Sequence, residues 1–253
     1  MNRSLQRRIR AGFELEFGCE KLPKDILRYL KILFGEDYPI TNRIRQYANE
    51  HSDCAVSRYK DSIVLKGDAS IYFHMAAYLQ GFEITTPAIP LIDSLPLLDR
   101  LFTALNLIEA ETNSTCGFHV NLSFVNEKRN HEIDPIFLLM LIDERSILKE
   151  FKRLSNEYCE SYLGKVKRWA TSGIDWDMLI DKCMRSSENY RATNFSHLKE
   201  RGYVEFRSIG GSGYLEKFQR ISQIIEHMAQ CLDYSTDLRK QKTVTRRLNT
   251  LCR

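Results

Sequence analysis

The chain has 253 residues, 43% hydrophobic and 28% charged, with a formal net charge of +4. This is enough chain to bury a substantial core, and the composition is that of a globular protein. No apolar run approaches the ~20 residues that span a bilayer, which excludes a helical membrane protein.

Seven scattered cysteines (Cys19, Cys54, Cys116, Cys159, Cys183, Cys231, Cys252) form no CxxC pair. They read as reduced thiols, not as a disulfide framework or a zinc site, and suggest a cytoplasmic protein. The positive charge gathers at the ends: Arg3, Arg7, Arg8 and Arg10 at the start, and Arg239, Lys240, Lys242, Arg246, Arg247 and Arg253 at the finish. Such ends either are solvated helix termini or contact nucleic acid or another polyanion.

In chain order, residues 11–19 alternate as a strand and 24–34 carry helical apolar spacing. Residues 36–60 are polar and without period. Residues 61–66 and 71–73 read as a hairpin around Lys66-Gly67-Asp68-Ala69-Ser70. Residues 81–86 form a strand stopped by Pro87. A helix is expected over 93–110, capped by Ser94 with Pro96 near its first turn. Residues 116–124 alternate strongly. Asp134-Pro135 opens a long apolar helix to about residue 153, with further helices at 155–168 and 175–186. The last strand, 203–209, precedes Gly210-Gly211-Ser212-Gly213, and a helix over 215–232 leads to the basic tail. The expected architecture is one α+β domain over 1–253. It has a mainly antiparallel sheet, helices on one side, a helical insert at about 125–185 and a tail at about 236–253.

Four of these strands share a pattern. Phe13, Leu15 and Phe17 oppose Glu14 and Glu16; Phe82 and Ile84 oppose Glu83 and Thr85. Phe118, Val120, Leu122 and Phe124 oppose His119, Asn121 and Ser123; Val204 and Phe206 oppose Glu205 and Arg207. Alternate side chains on a strand lie roughly 7 Å apart on one face. In one sheet these strands make a greasy face and a polar platform carrying four carboxylates and an imidazole. Such carboxylates repel unless cations neutralise them, and an oxygen-rich set favours Mg²⁺ or Mn²⁺. The plainer reading is four half-exposed strands whose polar faces meet water. Cys116 and His119, three apart, point to opposite faces and do not form a thiol–imidazole pair.

The ordered motifs GFELEFG, KGDAS, FEITTP, TCGFHVNLS, YRATNF and VEFRSIGG resemble the amidoligase family, a branch of the glutamine synthetase and glutamate–cysteine ligase superfamily. The resemblance runs from about residue 11 to 213. It implies a curved, mainly antiparallel glutamine-synthetase-like sheet and an ATP-dependent carboxylate–amine ligase holding Mg²⁺ between ATP and substrate. It implies metal ligation by Glu14, Glu16, Glu83, His119 and Glu205, and nucleotide contacts by His119, Asn121 and Arg207. Arg207 and Arg191 would stabilise the transferred phosphoryl group, and Asp68, Ser70, Arg191 and Asn194 would face substrate. Asn121 stands where many members have a second histidine, which puts a metal or nucleotide role there in doubt. Through an acyl phosphate, small-molecule or peptide carboxylates would join amines; the general base and the acceptor stay open. A Mg²⁺-dependent phosphoesterase or nuclease and a non-catalytic binding module are the rival readings.

Overall fold

The computed structural model describes residues 1–42, 61–73, 78–172, 174–185 and 190–237. The basic run after residue 238, most of the segment 36–60, Cys54 and Cys252 lie outside them. Helix α1 (Arg3–Arg8) leads into β1 (Ile9–Cys19), then α2 (Pro23–Phe34) and β2 (Ile40–Asn42) follow. Next come β3 (Ile63–Gly67), β4 (Gln80–Thr85), β5 (Ile89–Pro90), α3 (Leu91–Leu107) and β6 (Gly117–Phe124). The middle of the chain supplies α4 (Pro135–Ile142), α5 (Glu144–Glu150), α6 (Tyr162–Thr171) and α7 (Trp176–Arg185). The remainder is β7 (Thr193–Asn194), α8 (Leu198–Arg201), β8 (Val204–Gly210) and α9 (Phe218–Ser235). Among the described residues no helix is long and apolar enough to cross a membrane.

The strands form one open sheet in the order β2-β3-β4-β1-β6-β8-β7, with β5 on the start of β1. Every pairing named is antiparallel except β2 with β3. The fold is therefore mixed α+β, as expected. Alternation does the sorting: Phe13, Leu15, Phe17, Phe82, Ile84, Phe118, Val120, Leu122, Val204, Phe206 and Ile209 are all buried. Phe118 packs on Phe13 at 5.8 Å between ring centroids and edge-on against Phe102 of α3 at 6.1 Å. Phe102 in turn meets Phe218 of α9 at 5.5 Å, so α3 and α9 cover the apolar face. Each such side chain contributes about 1.5–3 kcal/mol through burial, which fixes which face of each strand is left for polar groups.

One irregularity matters for that other face. Phe118 pairs with Ile209 and Val120 with Phe206, so Arg207 and Ser208 together stand opposite His119. This bulge resets the alternation of β8. Ile209 thereby joins Phe206 on the apolar face while Glu205 and Arg207 stay beside His119.

Several expected elements are corrected. Residues 71–73 do not pair with β3: Tyr72 is tied to the 113–115 turn through Thr115 Oγ1 and Asn113 Nδ2. β3 pairs instead with β4 and β2. Ser94 is no cap; α3 starts at Leu91, and the buried Ser94 hydroxyl donates to Leu91 O. The single helix expected over 135–153 breaks at Asp143, which is left-handed (φ 50°, ψ 54°) and accepts from Ser146 N to start α5. With α4 buried on nearly every side, its sequence has no period to mark the break. A 3₁₀ turn (Glu157–Cys159) and α6 replace the helix expected over 155–168, and the last helix starts at Phe218, not near 215.

A candidate metal centre on the polar face

Strand register assembles the site row by row. One row across the sheet reads Lys66, Glu83, Glu16. The next reads Thr85, Glu14, His119, and the third Gly12, Asn121, Glu205, Asn194. His119 Nδ1 faces Glu14 Oε2 at 3.1 Å and Glu205 Oε1 at 3.5 Å, while its Nε2 lies 3.7 Å from Glu16 Oε1. One ligand atom each from Glu14, His119 and Glu205 falls within 4.8 Å of the others, a spacing one metal ion can bridge.

The surroundings hold these groups in place. Asn121 Nδ2 donates to Glu14 Oε1 at 2.9 Å, and Arg207 Nη1 donates to Glu205 Oε1 at 2.9 Å. Buried Asn194 donates to Glu205 Oε2 at 2.8 Å, and Gly117 N donates to Glu16 Oε2. A Cβ on Gly117 would sit 2.7 Å from His119 Nε2 and 3.1 Å from Glu16 Oε2, so only glycine lets these groups close in. Lys66 Nζ donates to Glu83 Oε1 at 2.7 Å.

Electrostatics follow from this crowding. Burial pushes Glu83 up, the charge of Glu14 adds to it, and against Lys66 its carboxyl settles at about 7. Burial also pushes Glu14 up, but its bond to His119, that ring's charge, Asn121 and Lys66 bring it down to about 2. Burial and Arg207 push His119 down, yet Glu14 and Glu16 outweigh them and leave it raised. The carboxylates of Glu14, Glu16, Glu83 and Glu205 outnumber Lys66 and Arg207, the cations that contact Glu83 and Glu205.

A family model described as "Putative amidoligase enzyme" matches residues 7–228, most of the chain and all the strands of the cluster. The chain belongs to the amidoligase family. No curated protein matches its sequence. A similarity to 3-hydroxy-3-methylglutaryl-coenzyme A reductase of Streptococcus pneumoniae, 9% identical over 90% of this chain and 70% of that one, has a TM-score of 0.18 and carries no inference. The family name marks a ligase-type enzyme.

In this amidoligase the expected site residues divide. Glu14, Glu16, His119, Asn121, Glu205 and Arg207 converge, and Glu83 adjoins them across from Glu16. Asn194, expected at substrate, touches Glu205. Arg191 reaches Glu160 and lies over the Tyr162 ring at 5.8 Å, joining the helical insert to β7. Asp68 Oδ1 accepts from Ser70 N at 2.8 Å and Ser70 Oγ at 2.6 Å, a turn that ends β3. Lys66 and His197 were missed. Lys66 opens the KGDAS motif, and the register of β3 with β4 places it beside Glu83. His197, stacked on Tyr203 at 4.9 Å and 4.0 Å from Glu205 Oε2, sits in a loop that carries no periodic signal. Cys116 is buried, and burial pushes its thiol to about 12, as suits a packing residue.

The donor set fits a hard divalent ion: two carboxylates and one imidazole, with more carboxylates alongside. Zinc sites rich in sulfur have no counterpart here, since the five described cysteines are free and buried and none contributes an atom to the cluster.

Proposed function

We propose that this amidoligase is an ATP- and Mg²⁺-dependent carboxylate–amine ligase, acting as one catalytic unit in the cytoplasm. The sheet would be the curved platform of glutamine-synthetase-like enzymes. The observation that carries the reading is the convergence of Glu14, His119 and Glu205 within 4.8 Å, flanked by Glu16 and Glu83, on the polar face of a family member's sheet. Glu14, His119 and Glu205 would hold one ion, and Glu16 with Glu83 would offer a place for a second. When bound, Mg²⁺ or Mn²⁺ neutralises phosphate charge and lines up the reacting oxygens.

The chain's own residues do the rest. Arg207 directs a guanidinium across Glu205 through Nη1, and the remaining N–H groups of its fork would meet a phosphoryl oxygen. Asn121 and Asn194 fix the rotamers of Glu14 and Glu205. The substrate carboxylate would take the γ-phosphoryl group of ATP, releasing ADP, and the amine would displace phosphate to give the amide. His119 must give up a proton to ligate, so ion binding would release protons.

The test is ADP release with a panel of carboxylates and amines, in wild type and in Glu14→Ala and Glu205→Ala. The reading requires amine-dependent ADP release that falls at least about a hundredfold in both variants. Undiminished activity in either variant removes that residue from the site. Mg²⁺-dependent cleavage of nucleic acid without ATP would replace the reading with a nuclease.

A further inference from the structure

A cavity of about 660 Å³ opens beside the metal cluster and shares Asn121 with it. That volume is in the range that holds small-molecule ligands. Its floor is the continuation of the polar face. Arg10 on β1 pairs with Ser123 on β6, one row beyond Gly12 and Asn121, and Tyr203 adjoins the same wall. Arg10 and Glu14 share a face of β1 four residues apart, roughly 13 Å along the strand. The cavity's other charged residues, among them Asp61, Glu127, Lys199 and Glu200, are exposed at its rim and of mixed sign.

Arg10 is the exception. It is half-buried, and among the described residues no hydrogen bond or ion pair engages its guanidinium. A charge withdrawn from water is normally matched by a partner, because desolvation without one is costly. The Ser123 hydroxyl beside it is also unengaged among the described residues. A forked donor and a hydroxyl facing a cavity form a receptor for a planar or tetrahedral anion.

We propose that this cavity seats the far end of an extended substrate and that Arg10, with Ser123, binds a second anionic group there, a carboxylate or a phosphate. The inference rests on the ligase reading for the reacting end only. The substrate so recognised carries one carboxylate at the cluster and another anion roughly 13 Å along β1, which selects against short monocarboxylates.

Calorimetric titration tests this in Mg²⁺ and a non-hydrolysable ATP analogue. The probes are the dicarboxylates from glutarate to sebacate, the monocarboxylates of equal length, and the same chains ending in a phosphonate. In wild type, the distal anion tightens binding about tenfold to a hundredfold once the chain is long enough. Whether carboxylate or phosphonate gains more identifies the anion. Arg10→Ala erases the gain and leaves monocarboxylates unchanged, and Arg10→Gln does the same should the alanine variant fail to fold. Arg10→Lys retains part of it. No gain at any length, a gain that survives in Arg10→Gln, or an equal loss for both probe classes overturns the proposal. Arg10-dependent discrimination without ADP release from any substrate upholds the anion seat and refutes the ligase reading. ADP release indifferent to Arg10 on every substrate does the reverse.

Discussion

Gly117→Ala is the sharpest probe of the cluster's geometry. The added methyl would lie 2.7 Å from His119 Nε2 and 3.1 Å from Glu16 Oε2, where ordinary contact needs about 3.5–4 Å. His119 is buried and held by Glu14 at 3.1 Å, so the ring cannot swing into solvent. It must shift by roughly 1 Å, which stretches the Glu14 contact beyond hydrogen-bond length. Overpacking of this kind costs about 1–3 kcal/mol, offset by about 0.5–1 kcal/mol from the stiffer unfolded chain. The net loss of about 1–2 kcal/mol lowers the melting temperature by about 2–8 °C for a domain of this size. Displacing a ligand by this much should weaken Mn²⁺ binding about tenfold to a hundredfold. Calorimetric melting and Mn²⁺ titration by electron paramagnetic resonance read the two effects. Wild-type Mn²⁺ affinity with a melting temperature within about 1 °C would refute the crowding at Gly117.

Other outcomes follow from the same coordinates. In chelator, Glu83 with its carboxyl raised to about 7 contributes stability that is complete below 4.5 and lost as pH rises toward 7. Glu14, lowered to about 2, contributes stability present above 4.5 and lost as pH falls through about 2. Urea melts across pH should therefore show Glu83→Gln flattening the neutral limb and Glu14→Gln the acid limb; the opposite assignment sinks both. Phe118→Ala, which removes ring contacts to Phe13, Phe102 and Tyr214, should cost about 3–5 kcal/mol in urea unfolding, and a loss under about 1 kcal/mol would show that α3 does not cover this face. Asp143→Ala should cost about 1–2 kcal/mol by combining left-handed strain with a lost cap, while Asp143→Gly regains part of it. Equal stability of the two variants would mean that backbone strain at 143 plays no part.

The polar platform was legible because period-two alternation is a local signal: residues 13–17, 82–85, 118–124 and 204–207 each announce their two faces. Which strands adjoin is a non-local matter that no local pattern carries, and the order appears only in the folded sheet. The hairpin over 61–73 failed because Asp68 and Ser70 make a turn that reads alike whether the chain returns along β3 or leaves it. Asp143 failed because a helix buried on nearly every side has no polar stripe to interrupt. Asn194 was found, but its work on Glu205 could not be, since a buried amide's partner depends on pairing between β7 and β8. Arg10 was counted among the basic residues of the chain's start; its place on the same face as Glu14 shows only once β1 is seen to begin at Ile9.

The strand order also bears on how the protein is made. β1 leaves the ribosome before β4 and β6 yet lies between them, and His119 comes 105 residues after Glu14, with β8 later still. A chain halted before β8 has two of the three ligand residues that lie within 4.8 Å, lacks Glu205, and leaves the greasy strand β6 with a bare edge. Folding must wait on contacts between distant segments, which is slow and exposes that edge to chaperones or aggregation. Under the metal reading proposed above, high-affinity Mn²⁺ uptake would appear only when the first and last strands of the cluster have met across the finished sheet.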